Sequence, residues 1–189
     1  MNESTARAHA LFNAEFARRT RRFDLREARE SDRQFLVRLL ADVHAEAQQR
    51  LGGEVVVLPR PLLELQSEAQ RQAYRAAYPH AIDYIVLRCA SGAPIGRMLI
   101  DWSTEQRGAS VAVDVAVLSG ERAGAAGWPL LCAWLATCDR LTLPAALRVM
   151  PHNPARRIYR KLGFQELDAN AFPVPMRRAP RPARSLGIG

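Results

Sequence analysis

Apolar and polar residues follow two different periods near the start of the chain. Within residues 22–29, Phe23 and Leu25 alternate with charged side chains, which is typical of a half-buried strand. The next apolar residues follow at helical spacing and define one helix face: Phe35, Leu36, Leu39, Leu40 and Val43. Ser31 and Gln34, three residues apart, predict a capping box where this helix begins. The segment therefore predicts a strand followed by an amphipathic helix.

The same two periods, separated by glycine and proline, predict the remaining elements. They indicate helices at 3–18 and 62–78, a hairpin of strands at 82–90 and 95–102, a strand at 109–118, a helix at 128–138, a strand at 144–150, a helix at 154–162, and strands at 163–167 and 171–177. Residues 54–60 fit either a short strand or an extended loop. In the strand at 109–118, valines at 111, 113, 115 and 117 share one face, and small residues with Asp114 share the other. We expect that strand to be buried on both sides.

The composition indicates one domain with a sizeable core. The chain has 189 residues, 48% of them hydrophobic, and no apolar run reaches the roughly 18 residues of a membrane-spanning helix. We expect no membrane partner and no targeting segment. The predicted organisation is an N-terminal helical extension at 1–21, a folded domain at 22–178 and a flexible basic tail at 179–189.

The net charge of +8 is concentrated at the two ends of the chain. Residues 1–22 hold five arginines and two glutamates, and residues 171–189 hold four arginines and no acidic residue. The folded middle is close to neutral, so nucleic acid is not the expected partner. A polyanion-binding protein that uses its basic termini stays an alternative.

The cysteines and two of the tryptophans are predicted to be structural. Cys89, Cys132 and Cys138 form an odd set without the spacing of a metal site. They are expected to be reduced core thiols in a cytoplasmic protein, with no disulfide and no bound metal. Trp102 and Trp128 fit core packing better than a platform for a ligand.

The segment 115–128, VAVLSGERAGAAGW, changes from a β-like run to a turn of glycine and alanine that opens a helix. Small residues let backbone N–H groups approach one point, and the N-terminus of the following helix adds a positive dipole. The segment therefore predicts an anion site, with phosphate as the expected guest.

The segment 153–164, NPARRIYRKLGF, predicts a capped helix that ends at a glycine. Asn153 suits a side-chain cap, and Pro154 suits the first helical position because that position needs no N–H donor. Tyr159 lies four residues before the pair of Gly163 and Phe164.

The element order and these two segments resemble the GNAT acyltransferase superfamily, whose members transfer an acyl group from acyl-coenzyme A to an amine. The family's pyrophosphate loop has the pattern Q/RxxGxG/A after its fourth strand. Arg122, Ala125 and Gly127 stand at its three fixed positions, with Ala125 in place of the middle glycine. The second segment is similar to the family's NxxAxxLYxxxGF element, in which the asparagine usually lies seven residues before the tyrosine. Either the turn is one residue shorter here or His152 takes the asparagine's place, and we favour the shorter turn.

The resemblance implies an α+β fold, classed as α/β in some schemes. Its sheet is mixed and mostly antiparallel, with six to seven strands flanked by helices in the order β-α-α-β-β-β-α-β-α-β-β. It also implies acetyl-coenzyme A as co-substrate, direct transfer in a ternary complex and no metal. The implied cofactor-binding residues are Val115, Val117, Leu118, Arg122, Ala123, Gly124, Ala125, Ala126, Gly127, Trp128, Asn153, Arg156 and Tyr159. In the family's arrangement the backbone at 115–118 pairs with the pantetheine arm, and Tyr159 protonates the leaving thiolate.

Several residues are candidates for the general base. Most amines are protonated at pH 7, so one proton must leave through a side chain or through water before attack. Asp114 is preferred because it is a carboxylate in a small-residue strand beside the predicted acyl site. His152, Glu30 and Glu121 rank below it.

The acceptor is not identified by any motif. A small-molecule or peptide amine is expected, in a pocket formed by the first two helices of the domain, the segment 51–61, and the loops around Asp101 and the last strands. A homodimer stays an open option. A coenzyme-binding regulator without turnover is a further alternative, because Ala125 replaces a glycine of the phosphate loop.

Overall fold

The computed structural model of the protein describes residues 2–50, 52, 54–103, 108–122 and 126–181. In chain order they form α1 (Glu3–Arg19), β1 (Phe23–Glu27), a 3₁₀ turn (Glu30–Asp32), α2 (Arg33–Arg50), α3 (Arg60–Ala77), β2 (Ile82–Arg88), β3 (Pro94–Asp101), β4 (Ser110–Val117), α4 (Ser119–Arg122), α5 (Gly127–Arg140), β5 (Ala145–Val149), α6 (Ala155–Lys161), β6 (Gln165–Glu166) and β7 (Val174–Arg178). The predicted elements are confirmed, and the short helix α4 is added to them. Residues 54–59 form a loop without strand pairing.

Seven strands form one sheet in the order β1-β2-β3-β4-β5-β7-β6. Neighbouring strands of the described sheet are antiparallel except β4 and β5, whose short parallel ladder joins residues 110–112 to residues 145–147. The parallel pair requires a crossover, which α5 provides. The predicted mixed, mostly antiparallel sheet flanked by helices is confirmed.

Two apolar clusters lie on opposite faces of the sheet, because strand side chains alternate between the two faces. The larger cluster includes Phe12 and Phe16 of α1 and Trp134 of α5. The smaller cluster joins α2 to the other face and consists of Phe35, Leu36, Leu39 and Ile85. The helices α1 and α5 therefore pack on one face, and α2 packs on the other.

The N-terminal helix α1 belongs to the main core. The Phe12 ring lies 4.8 Å from the Tyr84 ring and 5.7 Å from the Trp102 ring, measured between centroids. Phe12 and Phe16 are both almost completely buried. Burial of one such side chain contributes about 1.5–3 kcal/mol. The helix therefore stabilises the domain that follows it in the chain.

A β-bulge changes the faces of β4. Ala112 pairs with Ile100 and Asp114 pairs with Leu99, which leaves Val113 as the extra residue. As a result, Ala112 joins the later valines of the strand in the main core cluster, whereas Val113 does not. The prediction that four valines share one face is wrong, because the extra residue reverses the alternation in the middle of the strand.

The chain enters α2 through the 3₁₀ turn. The Asp32 carboxylate accepts a hydrogen bond from the Arg29 backbone N–H at 2.7 Å and two from the Arg26 guanidinium at 2.6 and 2.7 Å. The Arg26 hydrogen bonds lower the pKa of Asp32 below its usual value. The predicted capping box of Ser31 and Gln34 is wrong, because Ser31 lies inside the turn and Asp32 binds the N–H that precedes it.

The predicted start and end of α6 are confirmed. The Asn153 side-chain oxygen accepts a hydrogen bond from the Ala155 N–H at 2.9 Å, and Pro154 has helical backbone angles. Gly163 ends the helix with a φ of +96°, a conformation that side chains with a Cβ disfavour. The shorter turn before the helix is therefore the one that the chain adopts.

Free cysteines and charged side chains have ordinary placements in the described ranges. Cys138 is buried, Cys89 is exposed and Cys132 is intermediate, and all three are free thiols. The core position predicted for Cys89 is therefore wrong, since this residue follows the last residue of β2 at the surface. No helix in the described ranges is long and apolar enough to cross a membrane.

Candidate active site

The strands β4 and β5 separate beyond the bulge. Their ladder ends at Ala112, although β4 continues to Val117 beside β3. The Leu118 N–H donates to the Ile95 carbonyl of β3 at 2.9 Å, and main-chain groups of an antiparallel strand alternate in direction. The N–H and C=O of Val115 therefore point away from β3, into the gap beside β5. This is where the resemblance places the pantetheine arm.

Leu118 differs from Val115 in this respect. Its N–H is used by Ile95, and its carbonyl accepts the Glu121 N–H at 2.9 Å. The backbone donor that faces the gap is thus Val115, while Leu118 turns the chain into α4. The assignment of Leu118 as a cofactor-binding residue stays a prediction.

The predicted phosphate loop lies between α4 and α5. Arg122 ends α4 and Gly127 begins α5, a helix of 14 residues whose N-terminus faces the loop. Ala123, Gly124 and Ala125 lie outside the described residues. Ala126 is fully buried just before α5 and so fixes the start of that helix in the core.

The two tryptophans have different environments. Trp102 is buried, and its indole N–H donates to the Tyr84 hydroxyl at 3.1 Å, which confirms the predicted core position. Trp128 is 54% exposed in the first turn of α5. Core packing is therefore the wrong prediction for Trp128, because its ring points out of the helix beside the phosphate loop.

The first residue of α4 is anchored to α2. The Asp42 carboxylate accepts hydrogen bonds from the Ser119 N–H and the Ser119 hydroxyl, each at 2.7 Å. On the other side, Glu121 forms an ion pair with Arg88 of β2. Sequence reasoning did not find Asp42, because this residue is 77 positions away from its partner and belongs to no motif.

Tyr159 lies on α6 against the main core. Its ring meets the Phe164 ring edge-on at 5.9 Å. Burial raises the pKa of the Tyr159 phenol above its usual value, and the charge of Asp114 raises it further. The phenol therefore stays protonated at neutral pH and can donate a proton, as the predicted acid role requires.

Asp114 is part of a buried ion network on the face that carries α2. The Arg97 guanidinium donates to Asp114 at 3.1 Å and to the two oxygens of Asp83 at 2.7 and 2.9 Å. Burial raises the pKa of Asp114 above its usual value, and the positive charge of Arg97 opposes that rise, as does a hydrogen bond from the Val115 N–H. A carboxylate of raised pKa can accept a proton from an ammonium group near neutral pH more readily than an ordinary one.

Arg97 and Asp83 were not singled out from the sequence. Each is a charged residue within an otherwise apolar strand, β3 and β2 respectively, and this contrast was the available signal. Arg97 is only 5% exposed, and the Tyr74 ring of α3 covers its guanidinium at 5.6 Å. A buried charge of this kind needs partners, so its position in the strand predicted a cross-strand carboxylate.

A cavity of about 250 Å³ opens directly above this network. The strands β2 and β3 form its floor, and the helices α2 and α3 form its walls. The contribution of the first two helices of the domain agrees with the expected acceptor pocket. The loop at 55–58 lines a separate, mainly apolar cavity of about 320 Å³ beside α2.

The remaining candidates have structural partners or lie at the surface. Arg156 donates two hydrogen bonds to Glu166 at 2.6 and 2.7 Å, which ties α6 to β6. Arg160 also binds Glu166. His152 is exposed, and Glu30 pairs with Arg33 and Arg71 at the surface. The cofactor-binding roles of Asn153 and Arg156 stay predictions, as does the base role of His152.

We expect Glu166→Gln to lower the thermal stability of the protein at pH 7. The Arg156 hydrogen bonds lower the pKa of Glu166 from 4.5 to about 2. Because the folded-state pKa is depressed, this stabilisation is complete above pH 4.5 and is lost as the pH falls from 4.5 toward 2. The melting temperatures of the wild type and the variant should therefore converge below pH 4.5, as measured by circular dichroism. Glu54→Gln, in the exposed loop before α3, is the matched control, and a constant difference between wild type and Glu166→Gln would contradict the assignment.

Solved structures with this fold are acetyltransferases. No protein-family model and no curated protein matches the sequence. An acetyltransferase from Thermus thermophilus superposes with a TM-score of 0.61 at 14% identity, over 84% of this chain and 97% of that one. PaiA N-acetyltransferase from Thermoplasma acidophilum, in complex with coenzyme A, gives 0.58 at 13% identity, over 83% of this chain and 98% of that one. A GNAT-family acetyltransferase from Bordetella pertussis, described as putative, gives 0.58 at 19% identity, over 85% and 97%.

These similarities extend over most of the chain and over nearly all of each neighbour. The protein therefore has the GNAT acetyltransferase fold. The gap between β4 and β5 and the N-terminus of α5 lie where the motifs predicted the cofactor site.

Proposed function

We propose that this protein transfers an acetyl group from acetyl-coenzyme A to a primary amine. The observation that carries the proposal is the gap between β4 and β5, into which Val115 directs its main-chain N–H and C=O, with Tyr159 on the neighbouring α6. The N-terminus of α5 supports it, because backbone N–H groups and the helix dipole favour a phosphate-bearing ligand. Coenzyme A carries both a pyrophosphate and an arm with amide groups, so the residues present fit it.

The reaction needs few groups from the protein. The amine nitrogen attacks the thioester carbonyl, the C–S bond breaks and the thiolate leaves. The Val115 main chain can position the pantetheine arm so that the carbonyl faces the attacking nitrogen. Tyr159 gives its phenolic proton to the leaving sulfur, which its raised pKa and buried position permit.

Asp114 takes the proton from the incoming ammonium group in this proposal. Its carboxylate lies between the Arg97 network and the side of β4 that Tyr159 senses electrostatically. Burial raises its pKa, so it becomes a stronger base once it is ionised. An acid and a base on the two sides of one strand would divide the two proton transfers between them.

Titration with acetyl-coenzyme A tests the proposal. Calorimetry should show binding with a Kd between about 1 μM and 1 mM, and a panel of primary amines should release free thiol from the bound thioester. Absence of binding at about 1 mM would overturn the proposal. Binding without amine-dependent thiol release would instead indicate a coenzyme-binding regulator. Because the three cysteines are free thiols, we place the reaction in the reducing cytosol.

A further inference from the structure

The cavity above Arg97 has different charges at its floor and at its mouth. The floor is buried and holds Arg97 between Asp83 and Asp114, so its three ionised groups carry one net negative charge. The mouth is more exposed and is lined by Arg29 and Arg75, among other residues. The two ends of the cavity therefore favour opposite charges on a ligand.

The arginines of the mouth exceed its carboxylates. Arg29, Arg71 and Arg75 line it, and Glu30 is the acidic side chain that faces them. Arg71 binds Glu30 at 3.3 Å and Glu68 at 3.5 Å. Within the described ranges, neither Arg29 nor Arg75 forms an ion pair with a carboxylate. Two guanidinium groups at the mouth thus keep their hydrogen-bond donors for a ligand.

Guanidinium groups bind carboxylates and phosphates through paired N–H donors. The cavity of about 250 Å³ is slightly smaller than the roughly 300–1,000 Å³ of sites that take drug-sized ligands, which suits a small metabolite. Tyr74 and Tyr78 of α3 line the passage between mouth and floor. They provide an apolar contact for a short carbon chain between the two charged ends.

We propose that the acceptor is a small primary amine that carries an anionic group, carboxylate or phosphate, at its other end. The ammonium end lies toward Asp83 and Asp114, and the anionic end lies against Arg29 and Arg75. This inference rests on the proposed function, because it assigns the cavity to the acceptor of the acetyl group. It adds the chemical class of that acceptor, which no motif in the sequence identified.

A panel of matched amines tests the inference. The probes are n-pentylamine, 5-aminopentanoate and 1,5-diaminopentane, which share a five-carbon chain, together with 4-aminobutyl phosphate. We expect kcat/KM for the better of the two anionic probes to exceed that for n-pentylamine by about 10-fold or more, since charge-assisted hydrogen bonds form only with the anion. The diamine should be the poorest acceptor, and the order of the two anionic probes distinguishes carboxylate from phosphate. Equal or lower kcat/KM for both anionic probes would overturn the inference.

Variants of the mouth separate this result from an effect of overall charge. Arg75→Gln should reduce the ratio of kcat/KM between the preferred anionic probe and n-pentylamine by about 5- to 10-fold. Arg7→Gln removes the same charge from the exposed surface of α1, on the opposite face of the sheet, and should leave the ratio unchanged. If both variants change the ratio equally, the mouth arginines do not bind the anion.

The inference has a second readout that does not depend on turnover. If no amine releases thiol, the proposed function fails, and calorimetry of the protein alone with 5-aminopentanoate and n-pentylamine decides the inference. Tighter binding of the anionic probe that Arg75→Gln abolishes would support it. Equal Kd values for the two probes would overturn it.

Discussion

Tyr159→Phe is expected to lower kcat for acetyl transfer by about 10²- to 10⁴-fold, because it removes the proton donor for the leaving thiolate. Phenylalanine keeps the ring and hence the edge-on contact with Phe164 at 5.9 Å. The Kd for acetyl-coenzyme A should therefore change little. Thiol release at saturating acetyl-coenzyme A measures kcat, and calorimetry measures Kd.

Tyr84→Phe is the matched control for this prediction. The Tyr84 hydroxyl accepts a hydrogen bond from Trp102 and contacts His9 at 3.0 Å, in the core beneath α1. Its removal leaves buried polar groups without a partner and should lower the free energy of unfolding by about 1–3 kcal/mol. It should leave kcat unchanged, so a stability effect is distinguished from loss of the acid. A Tyr159→Phe enzyme with kcat within about threefold of wild type would exclude Tyr159 as the acid.

Arg97→Met is expected to lower the free energy of unfolding by about 3–5 kcal/mol, because two buried carboxylates lose their shared cation. Arg97 is 5% exposed, and it is the residue that joins Asp83 to Asp114. Methionine fills much of the space of the arginine stem but supplies no positive charge. Urea unfolding at pH 7 measures the change.

Arg33→Met provides the comparison for this substitution. Arg33 pairs with Glu68 at 2.9 Å, but its side chain is 57% exposed, so the loss should be no more than about 1 kcal/mol. If Arg97→Met costs as little as Arg33→Met, the buried network does not stabilise the fold. The direction of this result depends on burial, because solvent screens the exposed pair and does not reach the buried one.

The same variant has a consequence for the pH dependence of transfer. Arg97 lowers the pKa of Asp114 against the effect of burial, so removing Arg97 raises that pKa further. A base works in its ionised form, and the rising limb of kcat/KM should therefore move to higher pH in Arg97→Met. An unmoved limb would assign the proton transfer to water or to another side chain.

The helices, the strands and the segment 153–164 were predictable because their determinants are local. The spacing of apolar residues depends on neighbours within a few positions, and so does the cap formed by Asn153 and Pro154. Gly163 likewise ends α6 through its own backbone conformation. Sequence alone was enough for the order of elements and for the resemblance to an acetyltransferase fold.

The bulge in β4 and the buried network were beyond such reasoning. The face of a strand residue depends on register with the neighbouring strand, and one extra residue at Val113 reverses it. Arg97 meets Asp114 only because β3 and β4 pair in this register. Trp128 shows the same limit, since its spacing along α5 suits the core while its position at the helix start leaves it exposed.

By itself, the sequence determined the elements, their order and the segment that precedes α5, because these follow from short-range spacing and from the conformations of glycine and proline. Only the tertiary structure decided which charges share the cavity. Asp83, Arg97 and Asp114 lie on three strands, and Arg29 and Arg75 come from separate parts of the chain. Their proximity depends on strand register and on the packing of α3 over the sheet, which are long-range properties of the fold.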